Sequence, residues 1–335
     1  MANIAELFSQ RNVLSYVNAR QTKPMLGESL FPTRKVQGLE FDILKAGSRI
    51  PTIASVHAFD TEAEVASRVA SRSAQELAFI KRKIQLKEKD LIALRNPRTA
   101  EEQQFLEQEV YNDVENMVNS VNARVEKMRM EVLANGTVTL DENGLDLVVD
   151  YGVPADHKAT ADFSNASTDV IGLLTSWASE LDTTPTRILT STKVRNAILQ
   201  NDGIKAYIKT AGLLPTSGAL NQILQQFGLP IIATYDEKYN RENAQGVLIK
   251  ERYFPENKLV MFGSENPGES VFGITPEESR LLSGGSKDYK VGNIIAMVYE
   301  SSLDPIGTWT KAAGTALPSF PEADNVFQAE VLPEG

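Results

Sequence analysis

The chain has 335 residues, 42% of them hydrophobic and 23% charged, with 34 basic against 44 acidic side chains and a formal net charge of -10. That length and apolar content suffice for a sizeable core, and the acidity argues against a protein whose main task is to grip a phosphate backbone. Cysteine is absent, which excludes disulfides, a thiolate nucleophile and cysteine-ligated metal centres, and nothing calls for an oxidising compartment.

The opening stretch MANIAELFSQRNVLSYVNAR is not a signal peptide, because Glu6, Gln10 and Arg11 interrupt its apolar residues. No apolar run approaches the roughly 20 residues of a bilayer span, so a soluble protein made in a cytosol is expected, with no membrane partner. Ile4, Leu7, Phe8, Leu14 and Val17 predict a short amphipathic helix. Pro24, Gly27 and Pro32 then break the pattern into an arm. Leu39, Phe41 and Ile43 alternate with acids as in a strand, which Gly47 and Pro51 end. In residues 52–90, EVASRVASRSAQELAF is ambiguous, whereas FIKRKIQLKEKDLI sets Ile84 and Leu86 among charges as a strand. Few of these apolar residues can be buried together, so the stretch is expected to be an exposed two-stranded ribbon in need of a partner surface.

Thr99 followed by Glu102 is a capping-box signature, and the helix it opens should run to Asn135 with Gly136 as a left-handed C-cap. Such a helix is about 55 Å long. Val114, Val118, Val121, Val125, Met128 and Val132 fall at alternating spacings of four and three and form one apolar stripe. Asn112, Asn116, Asn119 and Asn122 are poor helix formers, so packing along that stripe must hold the helix; a coiled coil is the weaker alternative. Thr137 to Leu140 and Leu145 to Tyr151 then read as a hairpin around Asp141-Glu142-Asn143-Gly144, a turn that lacks the ligands of a calcium loop.

From Asp169 the pattern becomes α/β. Ile171, Leu174, Trp177, Ala178 and Leu181 share one helical face, RILTS is a strand, and VRNAILQ and LNQILQQF are helices on either side of GLLPTSG. IIATY, VLIKERYF, KLVMFG, SVFGI and NIIAMVY supply short strands, followed by a Pro/Gly-punctuated tail.

Candidate chemistry is sparse. His57 and His157 are isolated and read as surface or turn residues, and there is no phosphate-binding glycine loop, nucleophile elbow or HExxH. The pairs Glu101-Glu102 and Glu277-Glu278 sit at helix starts, where acids favour the macrodipole. No catalytic residue, metal site or cofactor is expected. Lys81-Arg82-Lys83, with Lys87 and Lys89, is the one dense basic run. Phe79 is the one aromatic residue beside it, so an acidic protein partner fits at least as well as nucleic acid.

The order of arm, charged ribbon, capped long helix, hairpin, α/β segment and final strand resembles the major capsid proteins of tailed bacteriophages. More closely, the chain resembles the lambda-type family, phage major capsid protein E. The stretches that carry the likeness are LFPTRKV with LEFDILKAGSRIP, AFIKRKIQLKEKDLI, VEKMRMEVLANGTVTL with LDLVVDYG, FPENKLVMFG, and DPIGTWT with NVFQAEVL. Residues 160–250 match least, and the Gly/Pro-rich stretch 307–321 looks longer than the family pattern.

The resemblance implies an α+β chain of the Hong Kong 97-type fold. It divides into an N-terminal arm and first P-domain strand (1–50), an E-loop (51–95), a spine helix with the P-domain hairpin (96–160), an A-domain (161–285) and return strands completing both domains (286–335). It implies a shell subunit that assembles with itself into hexamers and pentamers around double-stranded DNA, in the host cytoplasm and then in the virion. E-loop contacts between subunits would fall on Arg68, Arg72, Lys81, Arg82, Lys83 and Lys87. Portal and scaffolding proteins, a decoration protein and non-specifically packaged DNA are the implied partners; a sequence starting at Met1 just ahead of the arm implies that the scaffold is a separate protein. No Lys–Asn–Glu cross-linking trio is identifiable by spacing. The alternatives are an encapsulin-like compartment, a tail-tube protein, or an α/β enzyme with a carboxylate site in residues 160–300.

Overall fold

One helix of 36 residues organises the molecule. The computed structural model describes residues 8–20, 24–44, 72–86, 99–142, 144–243, 245–283, 291–301 and 307–333, with backbone alone for residues 43, 44, 72–74 and 301. In chain order the elements are α1 (Gln10–Ala19), α2 (Leu26–Leu30), β1 (Thr33–Lys35), β2 (Glu40–Leu44), β3 (Arg72–Glu76), β4 (Ala78–Leu86) and the long helix α3 (Ala100–Asn135). Next come β5 (Thr137–Leu140), β6 (Leu147–Asp150), β7 (Lys158–Thr160), α4 (Val170–Glu180), β8 (Arg187–Thr190), α5 (Thr192–Gln200), α6 (Asp202–Thr210) and α7 (Ser217–Gln226). The remainder is β9 (Ile232–Thr234), β10 (Lys238–Glu242), β11 (Leu248–Arg252), β12 (Lys258–Phe262), β13 (Glu269–Gly273), α8 (Pro276–Ser283), β14 (Ile295–Ser301), β15 (Gly307–Ser319) and β16 (Val326–Glu330).

α3 begins and ends where its capping chemistry dictates. The Thr99 side chain accepts a hydrogen bond from the Glu102 amide, and Gly136, at φ 72°, returns its own amide to the Val132 carbonyl. A side chain at that left-handed position would be strained. The next residue starts β5, so the helix feeds directly into the β5–β6 hairpin.

Two sheets share the work of burial. In the first, β15 is the central strand: β4 pairs along one edge, β14 and β13 pair with successive halves of the other, and β1 lies parallel to β13. α3 lies across this sheet, and Gly314 of β15 makes the approach possible, since a Cβ there would stand 3.1 Å from Val121 Cγ1. Ala312 and Ala316, two residues either side, are also buried under the same core. The second sheet runs β7-β16-β12-β8-β9. It packs with α4 to α7 around a separate core in which Phe163, Trp177 and Phe327 stack at centroid distances of 5.9 and 5.3 Å.

Several expectations are corrected. β4 does not return alongside its own ribbon; it is the edge strand of the central sheet, paired with β15 from Ala78↔Ala316 to Leu86↔Thr308, and β3 pairs instead with β2. The tail read as Pro/Gly-punctuated contains the longest strand described, β15, of 13 residues. Its Thr and Trp residues suit a pleated surface, and Pro318 falls beyond Ala316, the last residue that β4 pairs. Of the residues expected in the N-terminal helix, Leu14 and Val17 lie in α1 and Phe8 precedes it, while Ile4 and Leu7 lie outside the described residues. α6 is a helix that the sequence pattern did not announce, with Ile204 and Ile208 burying one face of it. His157 sits in a turn but is buried, against the ring of Phe327 at 6.4 Å; His57 lies outside the described residues.

Val125 is 1% exposed, so Val125→Asp places a carboxylate inside the main core at a cost of several kcal/mol. The variant is expected to move to the insoluble fraction and to form no assemblies; a soluble variant with the wild-type melting temperature would remove α3 from the core.

Candidate assembly interface

The six stripe residues of α3 are all buried: Val114, Val118, Val121, Val125, Met128 and Val132 belong to one hydrophobic cluster. The buried arc is wider than that stripe. It also holds Met130, Leu133 and, unexpectedly, Glu126 and Arg129, whose side chains are 0% and 3% exposed.

These two charges hold together four separate parts of the chain. Glu126 Oε1 accepts from the Gly27 amide at 2.9 Å and from the Tyr235 hydroxyl at 2.9 Å. Its Oε2 meets the Arg129 guanidinium at 3.2 Å. Arg129 Nε donates to Ser270 Oγ at 2.7 Å, and that hydroxyl donates to the Phe31 carbonyl at 2.9 Å. The arm, α3, the loop after β9 and β13 thus meet at one satisfied polar cluster. Burial, the Glu126 charge and its hydrogen bond all push the Tyr235 hydroxyl above its ordinary range, so it stays a donor. The only signal in the sequence was an i, i+3 Glu–Arg pair, with Glu126 next to Val125 and Arg129 next to Met128.

A second polar junction lies at the base of the β10–β11 hairpin. Asp236 accepts from the Thr192 amide at 3.1 Å, bonds the Thr192 hydroxyl and pairs with Arg252 at 2.5 Å. Burial alone would raise its pKa, but the Thr192 hydroxyl and the Arg252 guanidinium outweigh that and hold it below the usual carboxylate value. The acid pair Glu277-Glu278 is also engaged: Glu277 bonds Lys311, and Glu278 pairs with Lys35 at 2.7 Å.

The expected contact residues divide. Arg68 and Lys87 lie outside the described residues, and Arg72 is described by its backbone alone, in β3. Lys81, Arg82 and Lys83 lie on β4, where the pleat separates them. Arg82 shares the side of Gly314 and pairs with Glu242 of β10 at 3.2 Å. Lys81 and Lys83 leave from the other side, where Lys83 stands opposite Lys311. Lys83 Nζ sits 4.1 Å from the Trp309 ring centroid, and Lys81 Nζ 5.2 Å from that of Phe79. Tyr299, opposite Trp309 on β14, extends the same surface. The sheet therefore supplies the aromatic interleaving that the linear run lacked.

Around β4, the turn of the β5–β6 hairpin and the middle of α3 lies an open groove of about 1030 Å³. Its lining mixes Lys81, Arg82, Lys83 and Arg124 with Phe79, Leu145 and Leu147, which suits a protein surface better than a small reacting molecule. Further apolar side chains are exposed at Val247, Leu248 and Ile249 on the β10–β11 hairpin and at Leu214, Phe227 and Ile231 around α7. Among the described residues no group of three or more His, Asp or Glu is placed to hold a metal, and no helix is long and apolar enough to cross a membrane.

Residues 9–331 match the family model described as phage major capsid protein E, and the chain belongs to that family. It is a shell-forming capsid protein with the Hong Kong 97-type fold. A prophage protein of Escherichia coli CFT073 described as its capsid protein superposes with a TM-score of 0.64 at 13% identity, covering 96% of this chain and 98% of that one. A phage-related protein of Bordetella bronchiseptica RB50 superposes with a TM-score of 0.56 at 10% identity, covering 96% and 97%. Comparison with curated proteins by sequence finds no match. The family consists of structural shell proteins, and the encapsulin, tail-tube and enzyme readings are not favoured.

Removing the Glu126 charge leaves Arg129 buried without its partner, so Glu126→Gln is expected to cost about 3–5 kcal/mol in urea unfolding. Glu126→Leu with Arg129→Met removes both charges and is expected to recover part of the loss, the remainder reflecting the Gly27 amide and Tyr235 hydroxyl left without their acceptor.

The depressed pKa of Asp236 contributes stability that is fully present above the ordinary value near 4 and is lost as pH falls through the lower folded value. Melting temperatures of wild type and Asp236→Asn are therefore expected to differ at neutrality and to converge as pH falls from about 4 downward. A gap that stays constant across that range would show that this carboxylate contributes nothing through its charge.

Proposed function

We propose that this chain is the head-shell subunit of a tailed phage, assembling as hexamers and pentamers into an icosahedral shell around double-stranded DNA. The family match over residues 9–331 carries the reading. α3 serves as the spine, with the β5–β6 hairpin and central sheet as the P-domain and the second core as the A-domain. Residues 1–50 form the arm and first P-domain strand, and residues 51–95 the E-loop. Residues 286–335 return to complete both domains. The subunit works without catalysis or cofactor.

Contacts between subunits run through the E-loop cations Arg68, Arg72, Lys81, Arg82, Lys83 and Lys87. The exposed apolar hairpins add modest areas, and affinity accumulates over many neighbours. Portal and scaffolding proteins, and a decoration protein, are the further partners. Packaged DNA is held without sequence preference, with the net charge of -10 weakening its adhesion to the wall. The subunit passes from the host cytoplasm to the virion.

Expression alone or with its scaffolding protein, followed by electron microscopy, is expected to show closed shells or hexameric and pentameric rings. A protein that stays monomeric under every assembly condition overturns the reading, and open cylinders would assign it to a tube.

A further inference from the structure

Lys81 and Lys83 leave the central sheet on the side opposite Gly314, and it is on the Gly314 side that α3 packs. Two nearby cations are already engaged, Lys311 with Glu277 and Arg82 with Glu242. The surface that remains consists of two lysines over aromatic rings, with Phe79 and Tyr299 each 38% exposed. Two such cations on a chain of net charge -10 form a poor grip on a polyanion. An acidic surface with an aromatic group of its own fits better.

The first half of α3 is such a surface. Between residues 100 and 123 the chain carries Glu101, Glu102, Glu107, Glu109, Asp113 and Glu115 and no Lys or Arg. The helix macrodipole accounts for the first two alone, because its effect fades within one turn. Glu101, Phe105, Glu109 and Asn112 are all exposed, at helical spacings of four, four and three, and Phe105 is 61% exposed. Burial and the charge of Glu109 push the Asp113 carboxyl up, as expected where like charges crowd.

Within one chain the two surfaces cannot meet. Leu106, Val110 and Val114 turn the inner side of α3 into the core, so the acidic stripe points away from the sheet, while Lys81 and Lys83 leave from its far side. A second copy can bring them together, head to tail, as a repeating ring or shell contact requires. Resting on the shell reading, we propose that the Lys81/Lys83 face of the central sheet docks the Glu101–Phe105–Glu109 stripe of α3 on a neighbouring copy. Phe105 lies on the exposed Phe79 ring beside Lys81, and the two carboxylates meet the two ammonium groups.

The test is a charge swap in the full chain. Lys81→Glu with Lys83→Glu, and separately Glu101→Lys with Glu109→Lys, are each expected to cut particle yield by at least about tenfold through like-charge contact. Circular dichroism and melting temperature check that both variants fold, as expected for exposed positions. The variant with all four substitutions is expected to recover particles. Full yield from either reversed pair overturns the proposal, as does failure of the folded quadruple variant to recover. Normal particles that retain less DNA would assign the lysine face to nucleic acid and equally overturn it. Wild-type assembly is the control: its absence would sink the shell reading itself, whereas its presence beside unaffected swaps would sink this contact alone.

Discussion

The Glu126–Arg129 pair is the constraint on which the arrangement of the chain depends. A carboxylate and a guanidinium in a core are tolerated only when every donor and acceptor around them is met, because an unpaired charge there costs more than the pair contributes. Glu126 is met by the Gly27 amide, Tyr235 and Arg129, and Arg129 is met in turn by Ser270. Those partners come from the arm, the loop after β9 and β13. Apolar packing alone would let these parts slide on one another, whereas directional bonds to one carboxylate admit one arrangement.

Around that point the helix and the central sheet divide the labour of a shell subunit. α3 and β15 form a stiff crossing in which Gly314 lets the helix backbone approach and the valines fill the space. The hairpins at β5–β6 and β10–β11 and the sheet face at β4 then project from it with apolar or charged side chains exposed. The α/β body hangs from the same frame by its own core and joins it through β12, whose Val260 and Phe262 belong to the main cluster while Leu259 and Met261 belong to the second. The alternation of one strand thus couples the two cores.

Local chemistry was readable from the sequence and long-range pairing was not. The caps of α3, the stripe from Val114 to Val132 and the β5–β6 turn depend on residues within a few positions of one another, and they stand in the fold as read. The order of elements likewise pointed to the family. What escaped depends on partners far away in the sequence, from 44 positions for Asp236 and Thr192 to more than two hundred for β4 and β15. β4 looks like a ribbon because the strand it pairs with begins at Gly307, and β15 looks like a loop because glycine and proline are common in turns, whereas Gly314 faces Val121 of α3 and Gly307 faces Gln85 of β4. Glu126 and Arg129 looked like surface charges for the same reason, as their remaining partners are Gly27, Tyr235 and Ser270. Asp236 and Thr192, which bond across 44 positions, carried no linear signature either.

β15 has a consequence for the time at which a subunit comes into being. It lies between strands drawn from residues 78–86, 269–273 and 295–301, and it is itself completed at Ser319, near the end of the chain. The central sheet can therefore close only once the chain has been made as far as Ser319. Pairings of such wide sequence separation are also slow to find. A chain made only as far as β14 lacks the finished sheet face at β4, and so offers a growing lattice no such surface.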